Sequence, residues 1–328
     1  RAYLIEDKIE KLRDLVANDS QKVDALISAK LSSKVPLINQ LAQYVITSGG
    51  KRIRPLIALL SARACGYSGS QHIDIAAILE LVHTATLLHD DVVDDSKMRR
   101  GQETANILWG SPASVLVGDF LYSKAFQLMV ALENNLVLEV LADATNIIAE
   151  GEVMQLLSCN DPETTEKQYL DTIQQKTAKL FEAASGLGAI IAGNSEDKIL
   201  SMNTYGRHVG TAFQLIDDAL DYESSSETLG KNIGDDLAEG KPTLPLLYAM
   251  WNGTKQESTI IRETIISGGL QHLHEIKDAI KSTGAIQYTL KLAESEASNG
   301  LVALEVLPNS VFKSALEELA FFSTDRQS

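Results

Sequence analysis

An all-α fold is predicted by three features of the sequence: apolar residues recur at helical spacing, prolines stand between those tracts, and strand signatures are missing. The prolines (Pro36, Pro55, Pro112, Pro162, Pro242, Pro245 and Pro308) leave proline-free tracts at 56–111, 113–161 and 163–241. Proline breaks a helix interior but suits a first turn. Ser111-Pro112, Asp161-Pro162 and Pro308-Asn309 therefore read as connectors or helix starts. Between them one apolar series runs Ile75, Ile78, Leu79, Val82, Ala85, Thr86, and another Val137, Val140, Leu141, Ala144, Ile147, Ile148. Several helices are apolar on more than one face, as befits the centre of a bundle. No alternation with Asn-Gly or Asp-Gly turns appears, nor an internal repeat. The expected architecture is one domain over residues 1–328, a single large bundle of roughly ten or more helices.

Composition narrows the function. With 45% hydrophobic and 22% charged residues the chain can bury a large core, so disorder is not the default. Aromatics at only 5%, beside abundant Ala and Leu, favour helix over sheet. A net charge of −15 argues against nucleic acid, whose phosphates demand a basic face. The acidity reads either as plain solubility or as carboxylates that bound cations neutralise, and composition does not choose. Cys65 and Cys159 match no metal or redox spacing and suit buried thiols in a reducing compartment. No apolar run reaches the length of a membrane span and no signal peptide opens the chain, so no integral membrane segment is expected. The first residue is Arg1, which suggests a trimmed N-terminus. A stretch rich in Ser, Gly and charge, from Glu223 through Gly230 and Gly234 to Gly240, is expected to be a loop. Such loops often close over active sites, although composition alone is equally served by a plain surface loop.

Two segments carry the chemistry. His89-Asp90-Asp91-Val92-Val93-Asp94 and Gln214-Leu215-Ile216-Asp217-Asp218-Ala219-Leu220-Asp221 each contain D-D-x-x-D, and each ends an apolar helical run. On a helix, Asp90 and Asp94 share a face, as do Asp217 and Asp221. Packing carboxylates that closely is unfavourable unless cations neutralise them. Oxygen-only ligands favour a hard cation such as magnesium, which takes one or two carboxylates plus water and substrate phosphate. One copy of the motif is more simply a solvated helix end; two copies on otherwise apolar helices are not. Basic residues follow the same logic. Lys51 and Arg54 stand at a helix start within Gly49-Gly50-Lys51-Arg52-Ile53-Arg54-Pro55, where dipole and cations together favour an anion. Arg99-Arg100 follows the first acidic cluster, and Lys176-Thr177, Lys231 and Lys241 bracket the second. Each alone is an ordinary surface charge; together, in so acidic a chain, they point to phosphate recognition.

These residues together resemble the trans-prenyltransferase (polyprenyl diphosphate synthase) family. The markers are G-G-K-R-I-R-P, L-L-H-D-D-V-V-D, M-R-R-G, G-D-F-L, K-T-A, F-Q-L-I-D-D-A-L-D-Y and G-K-N-I-G-D-D-L-x-E-G-K-P-T-L-P, running from Gly49 to Pro245. Within the family the likeness is to bacterial octaprenyl diphosphate synthases, which make the ubiquinone side chain. The resemblance implies an isoprenoid-synthase fold, helices around a central active-site cavity. It implies several Mg2+ ions, three by the family pattern, held by Asp90, Asp91, Asp94, Asp217, Asp218 and Asp221. Arg99, Lys176, Thr177, Gln214, Lys231 and Lys241 are then expected to grip the allylic diphosphate, and Lys51, Arg54, His83 and Arg100 the isopentenyl diphosphate. The reaction is ionisation, condensation and elimination, with Asp90, Asp91, Asp94, Arg99, Lys176, Asp217, Asp218, Lys231 and Lys241 as its catalytic set. The resemblance further implies a homodimer, and a cytoplasmic enzyme with peripheral membrane contact for product release.

Product length is a question of geometry. The growing tail is expected to run back along the helix ending in Asp90, past Ala85 and Thr86, one turn deeper. Small residues there leave room, and Phe126, Met129 and Leu141 are candidates for the floor. The simpler alternative is that Ala85 and Met129 only fill the core. Two rival chemistries are weaker. A helical HD-type phosphohydrolase could use His83, His89, Asp90 and His208 as mixed ligands, but leaves the second acidic motif unexplained. A terpene cyclase needs an aromatic-lined cavity, and this chain is aromatic-poor.

Overall fold

The computed structural model describes residues 9–48, 50–223 and 234–322. Among these are sixteen α-helices, as the spacing predicted. They are α1 (Ala17–Lys30), α2 (Pro36–Thr47), α3 (Ile53–Ala64), α4 (Gln71–Val93), α5 (Ala105–Trp109), α6 (Ser111–Ala131), α7 (Asn135–Ser158) and α8 (Glu166–Ile173). After a π-helical turn at Gln174–Ala178 come α9 (Lys179–Ile191), α10 (Glu196–Glu223), α11 (Asp235–Ala238), α12 (Leu244–Asn252), α13 (Lys255–Ser267), α14 (Leu273–Ser282), α15 (Ala285–Ala303) and α16 (Val311–Phe322). Pro36, Pro112 and Pro245 occupy the first turns of α2, α6 and α12, where a missing N–H does no harm. Thr165 with Gln168 and Thr254 with Glu257 form capping boxes that start α8 and α13.

The described residues fall into two compact units, each assembled from separate stretches of the chain. The first comprises Arg1–Thr145, Leu180–Gly206 and Ala303–Leu319; the second comprises Asn146–Lys179, Arg207–Val302 and Ala320–Ser328. In the first unit α4 is central, packing on α1, α3 and α6. Its residues Ile75, Ile78, Leu79, Val82 and Ala85 are fully buried, which is why this helix reads as apolar nearly all round. The core of the second unit gathers Leu215, Ile216 and Ala219 of α10 with Leu244, Leu246 and Leu247 of α12 and Ile261 and Ile265 of α13.

Two sequence expectations need correction. The strand-free reading misses a two-residue ribbon, Met98–Arg99 paired antiparallel with Gln102–Glu103. Its turn residues, Arg100 and Gly101, both have positive φ, the geometry that suits a tight hairpin but without the usual asparagine or aspartate. Of the two thiols expected to be buried, Cys65 is, with burial pushing its pKa up to about 11, whereas Cys159 is only partly covered.

A buried polar triad ties α1 to α3 and α4. Asp19 Oδ2 accepts from Arg63 Nη2 (2.7 Å) and Nε (3.1 Å) and lies 2.8 Å from His72 Nε2. The buried His72 Nδ1 finds no hydrogen-bond partner. The neutral ring protonated at Nε2 fits this, since it leaves an acceptor rather than a donor unmet. Burial lowers the His72 pKa and outweighs the pull of Asp19. For Asp19, burial acts upward, but hydrogen bonds from His72 and Arg63 together bring the carboxyl below its ordinary value. Both folded values thus lie below the unfolded ones. Both groups contribute stability present at neutral pH and lost as pH falls, His72 first and Asp19 at more acid pH. Urea unfolding is expected to show stability declining between about pH 7 and pH 5, with part of that slope removed in His72→Asn.

Candidate active site

The first acidic cluster sits where α4 ends. Asp90 and Asp91 lie in its last turn and Asp94 caps it, its N–H donating to the Asp90 carbonyl at 2.8 Å. Unpaired carbonyls already make a helix C-terminus negative, so three carboxylates there add to a negative end that favours cations. Asp91 is buried; its Oδ1 accepts from Arg99 Nε (2.8 Å) and lies 2.7 Å from the Nη2 of the same guanidinium. Burial raises the Asp91 pKa despite Arg99, with Asp90 and Asp94 adding to the rise. The guanidinium is held charged by the same aspartates, against its own burial. The short ribbon aims this arginine, because Arg99 is a paired strand residue while Arg100 turns the corner.

His89, beside the cluster, points away from it. Its Nε2 lies 3.1 Å from the Val115 carbonyl and 3.2 Å from Asp119 Oδ1, and its ring stacks on Tyr122. Gly118 leaves room for this ring position, since a Cβ there would come 2.4 Å from Nε2 and push the imidazole aside. His83 is engaged by Arg54, whose Nη1 donates to Nε2 at 3.1 Å, and His208 Nδ1 lies 2.5 Å from Glu296 Oε2. Each histidine of the hydrolase reading is thus committed to a partner that is not a metal ligand set. Among the described residues, no three His, Cys, Asp or Glu side chains converge as a preformed metal cage.

The second cluster lies near the end of α10 and is tied into a hydrogen-bonded chain within the second unit. Thr177 Oγ1 donates to Gln214 Oε1 (3.1 Å), Gln214 Nε2 donates to Asp218 Oδ1 (2.7 Å), and Tyr169 OH donates to Asp218 Oδ2 (2.5 Å). Burial pushes the Asp218 pKa up to about 8, helped by Asp236 and Asp217 and opposed by those two hydrogen bonds. A carboxyl held at that value is one that a cation would readily recharge. Asp217, Asp221 and Asp218 share α10 as the motif spacing required.

Lys176 belongs to the π-turn, and its Nζ lies 2.6 Å from both Glu152 Oε2 and Gln155 Oε1 of α7. Gly151 makes this approach possible, because a Cβ there would stand 2.5 Å from the Lys176 backbone nitrogen. Inserted π-turns recur at functional sites for this reason: they re-aim one side chain without ending the helix. Gly151→Ala is expected to displace the turn and lower the melting temperature by several degrees, checked by thermal unfolding. Lys241 Nζ pairs with Glu239 Oε2 at 2.6 Å. Lys231, and the Ser224–Gly230 part of the anticipated loop, lie outside the described residues, as does Gly49.

In the first unit, Lys51 precedes α3 and Arg54 lies in its first turn, with the guanidinium 4.7 Å from the Phe181 ring centroid. Burial and Arg54 hold the His83 pKa well below the usual histidine value, so His83 is neutral and accepts. Of the residues assigned to the product tunnel, Ala85, Met129 and Leu141 are buried, Thr86 is half-buried, and Phe126 is exposed on α6.

Sequence reasoning passed over Tyr169, Glu152, Gln155, Asp236 and Arg52. Asp236 and Arg52 had a signal, standing without a role in the markers G-D-D-L-x-E-G-K-P and G-G-K-R-I-R-P. The others are ordinary polar residues until packing brings them to their partners.

Comparison with known proteins identifies the family. A family model described as polyprenyl synthetase matches residues 35–283. The octaprenyl diphosphate synthase of Escherichia coli is 52% identical, covering 97% of this chain and 99% of that protein. An all-trans-nonaprenyl-diphosphate synthase (geranyl-diphosphate specific) of Rhodobacter capsulatus is 46% identical, covering 95% and 96%. A polyprenyl synthase from Caulobacter crescentus, solved with calcium and isoprenyl diphosphate, superposes with a TM-score of 0.94 at 43% identity, covering 98% of both chains. The chain belongs to the polyprenyl synthetase family. It is a prenyltransferase with the all-α fold of the isoprenyl diphosphate synthases.

Proposed function

We propose that this prenyltransferase makes a long, octaprenyl product from an allylic primer such as farnesyl diphosphate and successive isopentenyl diphosphates, for the ubiquinone side chain. The observation that carries the reading is the pair of acidic helix ends, on α4 and α10, each flanked by cations, in a chain 52% identical to an octaprenyl synthase. The relative that makes a nonaprenyl product at 46% identity is why the exact length is part of the proposal.

Asp90, Asp91 and Asp94 with Asp217, Asp218 and Asp221 hold Mg2+, and the solved relative with calcium and isoprenyl diphosphate supports a divalent ion in such a site. These residues fit the ion: all offer oxygen, Asp91 and Asp218 are buried, and both have raised pKa values that a cation would relieve. Bound there, three Mg2+ ions by analogy with the family would supply positive charge to oppose the negative charge gathering on the departing diphosphate. Arg99, Lys176 and Lys241 hold that diphosphate, with Lys231 joining them and Thr177 and Gln214 orienting Asp218. As the allylic C–O bond breaks, these fixed cations meet charge that develops in the transition state. Lys51, Arg54, His83 and Arg100 hold isopentenyl diphosphate so that its double bond attacks the allylic cation head-to-tail. Loss of a proton then restores a double bond and leaves a longer allylic diphosphate for the next round.

The tail grows past Ala85 and Thr86 towards Met129, Leu141 and Phe126. An exposed apolar stripe on α6 (Leu116, Phe126 and Val130) supports a homodimer, which would also cover Phe126. No helix among the described residues is long and apolar enough to cross a membrane. The reading places catalysis in the cytoplasm, with peripheral contact to deliver so apolar a product. Radiolabelled isopentenyl diphosphate tests it: label enters solvent-extractable product only with farnesyl diphosphate and magnesium present, and a chelator abolishes this. Incorporation indifferent to the chelator would contradict the assignment of the aspartates.

A further inference from the structure

Glu80 lies on α4 one turn before His83, so the two share a face. Its Oε1 is 3.9 Å from Arg52 Nε, and burial raises its pKa against the opposing charges of Arg52, Arg54, Arg100 and Arg13. The side chain is only 13% exposed, and Oε2 is buried without a hydrogen-bond partner. A carboxylate so withdrawn from water is unfavourable unless it serves its neighbours.

Those neighbours are unusual. Arg52 and Arg100 both adopt left-handed backbone conformations, at φ 43° and 54°. Such strain persists where the surroundings over-determine it, and it concentrates at binding sites. Arg100 is pressed against Gly50, where a Cβ would come 2.5 Å from Nη1. Arg54 is fixed by His83 and the Phe181 ring. Guanidinium groups gathered in this way repel one another; Asp24 pairs with Arg52 from its exposed side, and Glu80 is the buried carboxylate among them.

We propose that Glu80 is a positioning residue for isopentenyl diphosphate: its carboxylate is the shared counter-anion that keeps Arg52, Arg54 and Arg100 converged as a preformed diphosphate cradle. The inference rests on the assignment of Lys51, Arg54, His83 and Arg100 to that substrate, and it adds Arg52 to them. A carboxylate near a bound diphosphate also repels it, so two effects oppose. The repulsion is shared among several guanidinium groups, whereas losing Glu80 frees long side chains that must be reordered at every binding event. The ordering effect prevails.

The test is steady-state kinetics on Glu80→Gln, Glu80→Asp and Arg52→Gln, with melting curves alongside. Glu80→Gln is expected to raise the KM for isopentenyl diphosphate about tenfold, the cost of ordering two arginines. The KM for farnesyl diphosphate stays within about twofold, because the residues assigned to the allylic diphosphate do not include the Glu80 arginines. Glu80→Asp recovers part of the loss, and Arg52→Gln repeats it. An unchanged or lower KM for isopentenyl diphosphate in Glu80→Gln overturns the proposal, as does an equal rise in both KM values with a lowered melting temperature. Should Glu80→Gln not fold, an unchanged KM in Arg52→Gln overturns it alone. Wild-type protein that performs no condensation defeats the functional reading instead. Calorimetry with isopentenyl diphosphate then still decides whether Glu80 supports binding.

Discussion

Asp218→Asn is expected to lose on the order of 10³-fold in kcat, as removal of one preorganised electrostatic group typically does, while unfolding at a higher temperature than wild type. The two effects have one origin. The Asp218 pKa is raised from the carboxylate range to about 8, chiefly by burial. A carboxyl with a raised folded pKa lends stability that is lost as pH rises through that window, so at neutral pH it is a net burden on the fold. Asparagine carries no charge to desolvate and can still accept from Gln214 or Tyr169, whose hydroxyl can turn to accept in its stead. Melting curves check both halves. In metal-free buffer the variant should melt above wild type. On adding magnesium and pyrophosphate, wild type should gain more, because ligand that binds only the folded state stabilises it by mass action. Full activity in Asp218→Asn would remove this residue from the metal-binding set.

Ala85→Tyr is expected to shorten the product to farnesyl or geranylgeranyl length while sparing the first condensation. Ala85 is fully buried on α4, one turn before the acidic cluster, so the new ring must occupy whatever space the growing tail uses. Overpacking a filled core costs about 1–3 kcal/mol, so a loss of stability accompanies the change. Thr86→Phe, at a half-buried position on the next residue, separates the two effects. Unchanged product length in both variants would mean that the tail does not pass this face of α4.

The sequence displayed the helices because their cause is local. The Ile75 to Ala85 series is buried on α4 as its spacing required, and Val137, Leu141, Ala144 and Ile148 line the buried face of α7. The acidic motifs were equally legible, since a carboxylate has few reasons to recur in apolar helices. What spacing could not show is anything set by a second element. The π-turn that aims Lys176 depends on Gly151 in another helix, and the ribbon that aims Arg99 uses an Arg-Gly turn in place of the familiar Asn-Gly. Tyr169 on Asp218, Glu152 on Lys176 and Glu80 among the arginines are contacts of residues distant in the chain. The resemblance supplied roles for the first rank of residues, and the fold supplied the second rank that holds them.

The most direct test is the mass spectrum of products formed from farnesyl diphosphate, excess isopentenyl diphosphate and magnesium. The account predicts a ladder of prenyl diphosphates that ends at the octaprenyl member. Products that stop at farnesyl or geranylgeranyl length would preserve the condensation chemistry and refute the open path past Ala85. No condensation by folded, metal-loaded protein would contradict the account at its root.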